Sequence, residues 1–281
     1  MKKLGIVIAA LLAAGGAAWL GATWYIGGET EKLVRAQIEQ ANKASAAHGV
    51  SQELVSYERS LFGAQAVTRL TVTEPVTGQW SAQFAHKIQH GPLLLASGQG
   101  MGLSYWQSHL DTASLPAESK AFVEQAYGNK EAFVATTKIG FDNTMHTTML
   151  VNPMEMSLKE SGGKLKFAGA TLTADISAAQ NAGPFSLKTD ALEVRDADMT
   201  FTVPSIELEG KVGSVVGGLE SFNLKAPSIS ILTAGKTEPV KLDLSAQSTT
   251  SEQNGSIQGN GSFQIANIQG APEVPVKQAD Q

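Results

Sequence analysis

Residues 80–90 read WSAQFAHKIQH, and this stretch decides the fold class. Its even-numbered positions hold most of the apolar residues, and its odd-numbered positions are mostly polar. One side therefore presents Trp80, Ala82, Phe84, His86, Ile88 and His90. A period of two residues is typical of an antiparallel strand with one buried face. The stretch predicts a sheet with an apolar face and a polar face.

The same alternation continues through most of the chain after residue 54. Strand-like runs occur at 65–73, 133–141, 143–151, 154–160, 164–168, 170–176, 184–194, 199–209, 219–225, 227–233, 239–246 and 256–266. Pro204 and Pro227 indicate edges, bends or strand starts, because proline cannot donate to a sheet. Residues 116–127, which begin with Pro116 and precede Gly128, predict one short helix. The predicted fold is mainly β, a long antiparallel meander sheet that could curl into a trough.

The amino terminus carries a long uncharged segment. Lys2 and Lys3 precede residues 4–26, which hold no charge and would span about 34 Å as a helix. A hydrocarbon core is about 30 Å thick, and Trp24 and Tyr25 suit its headgroup boundary. We expect residues 1–28 to be a transmembrane anchor with a cytoplasmic amino terminus. The alternative is a cleaved signal peptide with an apolar core at 4–14; both alternatives place the body outside the cytoplasm.

The remaining boundaries follow from glycine, proline and composition. Gly27 and Gly28 are expected to end the anchor helix, and Thr30 to cap a juxtamembrane helix within residues 29–50. Residues 51–269 are predicted to form a periplasmic antiparallel β domain. Residues 270–281, which contain two prolines and no periodic pattern, are predicted to be a disordered tail.

Composition and motifs argue against several function classes. The net charge is −5, without the basic surplus of a nucleic-acid binder. The absence of cysteine excludes thiolate metal sites and cysteine nucleophiles. His86 and His90 share a strand face but would lie about 13 Å apart, too far for one metal. Without a nucleophile elbow or a phosphate-binding loop, we expect a protein that is not an enzyme and needs no cofactor.

Two short segments resemble a known family. Tyr57, Arg59, Ser60, Leu61 and Phe62 match an aromatic–x–Arg–small–Leu–Phe segment, and Ile88, His90, Gly91, Pro92 and Leu93 match an aliphatic–x–His–Gly–Pro–aliphatic segment. These motifs resemble the YdgA/YihF-like family of bacterial inner-membrane-anchored proteins of unknown function, which is distantly AsmA-like in pattern. The resemblance implies a periplasm-facing β domain and brings no catalytic residues.

The motif residues can also be interpreted from their chemistry, without the family resemblance. The stem of Arg59 could pack on the ring of Tyr57 or Phe62. The segment His90–Gly91–Pro92 is typical of a strand terminus, where Gly91 can adopt a positive φ and Pro92 ends the ladder. The alternative for this segment is a binding role.

The sequence leaves two main functions open, and an anchored hydrolase is a third alternative. The first is a noncatalytic envelope scaffold or binding module. The second is an AsmA-like groove whose apolar face would hold lipid, with Trp80, Phe84, Ile88 and Phe201 as candidate face residues. The expected partners are the membrane, and lipid or another envelope protein. Edge strands would also allow a homodimer.

Overall fold

The computed structural model describes residues 2–45, 49–74, 78–158, 162–177, 179–180, 182–213, 219–253 and 256–270. Two α-helices lie in this part of the chain, α1 (Lys2–Ser45) and α2 (Ala117–Tyr127). The strands are β1 (Val50–Arg59), β2 (Gly63–Glu74), β3 (Gly78–His90), β4 (Leu93–Leu94), β5 (Gly100–Met101), β6 (Ser104–Asp111), β7 (Phe133–Ile139), β8 (Thr144–Val151), β9 (Met154–Ser157), β10 (Lys164–Phe167), β11 (Ala170–Ser177), β12 (Gly183–Thr189), β13 (Leu192–Arg195), β14 (Met199–Val203), β15 (Ile206–Val212), β16 (Leu219–Thr233), β17 (Val240–Gln253) and β18 (Ser256–Gln269).

The described strands, apart from the small β4–β5 hairpin, form one antiparallel sheet. Its long strands lie side by side in the order β1, β2, β3, β6, β7, β8, β11, β12, β15, β16, β17 and β18, which is also their order along the chain. Strands β9, β10, β13 and β14 extend β8, β11, β12 and β15 after a short break, and they pair with one another in the same order. The predicted antiparallel meander is therefore confirmed.

A line of breaks crosses the middle of five neighbouring strands. It runs through residues 152–153, 168–169, 190–191, 204–205 and 226–229. The less exposed positions step by three residues at each break, for example from Val151 to Met154 and from Val203 to Ile206. A step of three moves the apolar residues from odd-numbered to even-numbered positions, or the reverse. The irregular backbone at the break compensates for this change, so the apolar side chains stay on the less exposed side of the sheet. Pro204 and Pro227 lie at these breaks, which agrees with the prediction that they mark edges, bends or strand starts.

Helix α1 runs without interruption through Gly27 and Gly28, so the predicted break at these glycines is wrong. The physical reason is packing, because a Cβ on Gly27 would lie 2.5 Å from the buried ring of His90 on the sheet. Thr30 does not cap a new helix, since its hydroxyl donates to the carbonyl of Ile26 at 2.8 Å. The predicted short helix is confirmed as α2, which ends at Tyr127 and is followed by the capping residue Gly128 with a φ of 61°.

Within the described ranges, no helix reaches the length and low polarity that a bilayer crossing requires. The predicted disordered tail lies outside the described residues, apart from Gly270.

Full burial is concentrated in the first half of the described chain. The buried hydrophobic residues are Ile26, Val34, Ala64, Ala66, Ala82, Ile88, Leu94, Leu115, Ala126, Ile139, Val203 and Ala226. Only the last two follow residue 140. The apolar positions of the later strands are mostly only partly buried, so much of the described sheet is not covered by a second layer.

Candidate binding surfaces

The motif residues converge on one corner of the fold, which we call the helix–sheet junction. It comprises Tyr57, Arg59, Phe62, His90 and Gly91 of the sheet and residues 19–28 of α1. The turn between β1 and β2 meets the end of β3, because the backbone N–H of His90 donates to the carbonyl of Phe62 at 2.9 Å. The two motifs, far apart in sequence, thus form one surface that faces α1.

Aromatic and cationic side chains join the two parts of this junction. The rings of Trp19 and Phe62 are stacked with their centroids 5.4 Å apart. The guanidinium of Arg59 lies 5.5 Å from the ring centroid of Trp24, within the range of a cation–π contact. The aromatic partner of Arg59 is therefore Trp24 on α1, rather than Tyr57 or Phe62 as the sequence suggested.

His90 lies at the centre of the junction and is only 2% exposed. Neither ring nitrogen has a hydrogen-bond partner. A Cβ added to Gly27 would lie 2.5 Å from the Nδ1 atom of His90, so the helix approaches the ring closely. Burial, and secondly the charge of Arg59, lower the pKa of His90 to about 4, which keeps the ring neutral at ordinary pH.

Gly91 and Tyr57 complete this corner. Gly91 does not have the positive φ that the sequence suggested; a Cβ there would instead overlap the carbonyl oxygen of Gly102. The hydroxyl of Tyr57 is buried without a hydrogen-bond partner, and burial together with the charge of Glu31 raises its pKa to about 12. The described contacts of the junction are packing contacts with α1.

His86 has a separate environment on the same strand. Its ring nitrogens lie 2.8 Å from the hydroxyl of Thr68 and 2.7 Å from that of Ser108. Burial, with a smaller contribution from His109, lowers the pKa of His86 to about 4. No group of three or more metal-ligating side chains occurs in the described part of the chain.

A row of apolar side chains crosses the sheet between β7 and β17. We call it the apolar row, and its members are neighbours in strand register. They are Ala135, Met149, Leu172, Leu187, Leu208, Leu224 and Ala246. Each is only partly buried. Helix α1 packs mainly on β1 and β3, and α2 on β9, so neither helix has its main contacts with this row.

The four candidate face residues separate into three environments. Ile88 is 3% exposed and packs with Ala64 and Ala66 of β2, and α1 contacts its strand β3. Phe84 and Phe201 are half-buried; Phe84 contacts Phe133, and Phe201 lies in register between Val194 and Ile231. Trp80 is exposed. The alternation identified the right side of the strand, but it could not tell which positions the helix covers.

The side of β12, β15 and β16 that lies opposite the apolar row is polar. Lys188 pairs with Glu207 at 3.7 Å, and Lys211 pairs with Glu220 at 2.9 Å. These ion pairs are exposed and contribute little stability. The sheet therefore has one solvated face and one apolar face that lacks a full cover.

Comparison with known proteins identifies the family. Residues 1–272 match the family described as a bacterial protein of unknown function (DUF945), and the chain belongs to that family. No curated protein and no solved structure matches the chain. The YdgA/YihF-like name and the AsmA likeness stay predictions.

Proposed function

We propose that this protein is a noncatalytic, membrane-anchored lipid-binding module whose apolar row holds acyl chains. The observation that carries the proposal is the partial exposure of seven neighbouring apolar positions between Ala135 and Ala246. Soluble monomers rarely expose a continuous apolar patch of more than a few hundred Å². An apolar ligand would cover this row and remove it from water.

The dimensions of the row suit an acyl chain. Seven strands spaced about 4.8 Å apart make a row about 29 Å long. One leaflet of a bilayer contributes about half of a hydrocarbon core of about 30 Å. The row is thus long enough for at least one extended acyl chain, and each buried methylene would stabilise the complex by about 0.8 kcal/mol.

Membrane anchoring is the second part of the proposal. Its support is the uncharged sequence of residues 4–26 between Lys3 and Glu29. We place the protein in the bacterial inner membrane with its β domain in the periplasm, because positive residues favour the cytoplasmic side. An anchor would hold the apolar row close to a source of lipid.

A second candidate function is the binding of another envelope protein, or of a second copy, at β18. The outer edge of β18 has no neighbouring strand in the described sheet. Exposed apolar side chains lie along this strand, namely Ile257, Phe263, Ile265 and Ile268. Such an edge favours pairing with another strand.

Photo-crosslinking in membranes tests the lipid proposal. The full chain is made with p-benzoylphenylalanine in place of Leu172, and irradiated in native membranes. We expect a covalent phospholipid adduct in the mass spectrum, because Leu172 lies inside the apolar row, with Met149 and Leu187 as its neighbours. The matched control replaces Thr171, the neighbouring residue on the exposed side, and should give no adduct.

The outcome separates the two candidate functions. Equal lipid labelling at 171 and 172, or none at either position, contradicts the lipid proposal. A protein adduct from a probe at Phe263, without lipid at 172, favours the second candidate. Anchoring is tested on the same membranes, because an alkaline carbonate wash should leave the full-length chain in the pellet.

A further inference from the structure

The two ends of the sheet differ in charge. At the end nearest residues 19–26 of α1, which we call the helix-side end, lie the turns 60–62, 91–103 and 140–143. They adjoin one another, since the backbone N–H of Leu103 donates to the carbonyl of Ile139 at 2.8 Å and that of His90 to Phe62. Asp142 is the single charged residue in these three turns, and its carboxylate accepts hydrogen bonds from Thr144.

The opposite end carries many charges. Its connections include residues 112–132, 196–198 and 234–239. The charged residues in them are Glu118, Lys120, Glu124, Lys130, Glu131, Asp196, Asp198, Lys236 and Glu238. This end is therefore a normal solvated surface.

The turns at the helix-side end expose large apolar side chains. These are Leu61, Phe62, Leu93, Leu95, Met101 and Phe141, with exposed fractions from 37% to 67%. They lie on turns, where solvated proteins usually place polar residues. The adjoining part of α1 adds Leu20, Trp24 and Tyr25, which are also exposed.

The direction of α1 relates this end to the uncharged segment. Trp19 stacks on Phe62 at the helix-side end, and the side chain of Asn42 bonds the backbone of Gln52 towards the other end of β1. The helix therefore runs along the sheet from one end to the other. Because α1 is continuous from Lys2, the residues that precede Trp19 lead away from the helix-side end.

A cavity of about 520 Å³ opens beside these turns. Its lining includes two cations, Arg59 and Lys87, and one anion, Glu58, together with the polar side chains of Tyr105 and Ser97. Guanidinium and ammonium groups bind phosphate, and tryptophan, tyrosine and arginine are typical of the boundary between headgroups and acyl chains. The chemistry of this end matches a phospholipid surface.

We propose that the helix-side end rests in the interfacial layer of a phospholipid bilayer, with the turns 60–62, 91–103 and 140–143 inserted beside the helix. This second contact rests on the proposed membrane location and goes beyond the anchor, because it fixes the orientation of the sheet on the membrane. It would bring the end of the apolar face to the lipid surface.

Single-cysteine labelling tests the contact, because the chain has no cysteine of its own. The full chain is reconstituted in nanodiscs of phosphatidylethanolamine and phosphatidylglycerol with a polarity-sensitive fluorophore at Leu95→Cys or Phe141→Cys. We expect doxyl-labelled lipid to quench most of the fluorescence at both positions and aqueous iodide to quench little. The matched controls are Ala197→Cys and Thr237→Cys at the charged end, where iodide should quench and doxyl lipid should not.

A label at Leu12→Cys reports on the anchor in the same nanodiscs. If doxyl lipid quenches position 12 and iodide quenches positions 95 and 141, the interfacial contact is wrong while the anchor stands. If neither 12 nor 95 responds to doxyl lipid, the membrane location fails as well. Shielding of positions 95 and 141 from both quenchers would identify a protein partner there, and it would also overturn the lipid contact.

Discussion

Two regions of this sheet share the same sequence pattern and differ in burial. Ile88 on β3 and Ile231 on β16 both belong to apolar–polar alternations, and both have apolar neighbours in register. Ile88 is 3% exposed, whereas Ile231 is only partly buried. The difference is the cover, since α1 packs on the region of Ile88. An alternating strand therefore reveals which side is apolar, and a distant element decides whether that side becomes a core.

Geometry explains why the cover is incomplete. Twelve long strands spaced about 4.8 Å apart form a sheet about 50 Å wide. A single helix has a diameter of about 10 Å including side chains, so α1 shields a few strands at one edge. Helix α2 contacts β9 through Gln125, whose amide donates to the carbonyl of Ser157 at 2.9 Å. The strands between these helices keep an apolar face that a ligand or partner could use.

The largest expected difference concerns the same substitution in both regions. We expect Ile88→Ala to lower the free energy of unfolding by about 2–5 kcal/mol, because it leaves a cavity in a closed core. Ile231→Ala should cost about 1 kcal/mol, since its side chain is already partly in water. Denaturant titration of the full chain in detergent micelles measures both. Equal losses would mean that the two regions are covered to the same degree.

Sequence reasoning predicted the strands well and the packing poorly. The period of two fixed the apolar side of β3, and the antiparallel meander follows from short connections between consecutive strands. The contact between Gly27 and His90 could not be predicted, because it joins residues 63 positions apart in sequence and has no periodic signal. Glycines in an apolar helix are equally consistent with a break and with a close approach. The unpartnered ring of His90 likewise has no local signature.

Acid should weaken the covered region first. In the unfolded chain a histidine has a pKa of about 6.5, whereas the folded values of His86 and His90 are about 4. As the pH falls below about 6.5, the unfolded state binds protons before the folded state does, so stability is lost between about pH 6.5 and about pH 4 and is unaffected above that range. The loss is at most about 3 kcal/mol per histidine.

The variant His90→Phe isolates one of these contributions. It replaces a neutral ring without hydrogen bonds by an apolar ring of similar shape, so we expect a shallower fall of unfolding free energy across the same pH range. Carboxylates contribute equally to both proteins and cancel in the difference. A pH slope identical to that of the unmodified chain would mean that His90 is not desolvated by the helix.

Disrupting the close contact between Gly27 of α1 and His90 should lower the unfolding free energy by a smaller amount. Gly27→Leu places a side chain where a Cβ alone would lie 2.5 Å from His90, and overpacking of this kind costs about 1–3 kcal/mol. Gly21→Leu is the matched control, because no atom lies within 4 Å of its added Cβ. Tryptophan fluorescence would follow undocking through Trp19 and Trp24. A control as disruptive as Gly27→Leu would point to a general effect on the helix.

The smallest expected effect sharpens the comparison at the line of breaks in the uncovered sheet. Ser228 has a φ of 56°, and its backbone N–H donates to the carboxylate of Asp243 at 2.7 Å. A left-handed conformation costs a residue with a Cβ about 1–2 kcal/mol, while glycine loses about 0.5–1 kcal/mol of chain entropy on folding. Ser228→Gly should therefore raise the unfolding free energy by up to about 1 kcal/mol.

The matched control is Ser230→Gly, two residues along the same strand. Ser230 is not among the positive-φ residues, so this change should lower the unfolding free energy by about 0.5–1 kcal/mol. Calorimetry of the two variants should give shifts in melting temperature of opposite sign, and two losses would mean that Ser228 is not held in this conformation in solution.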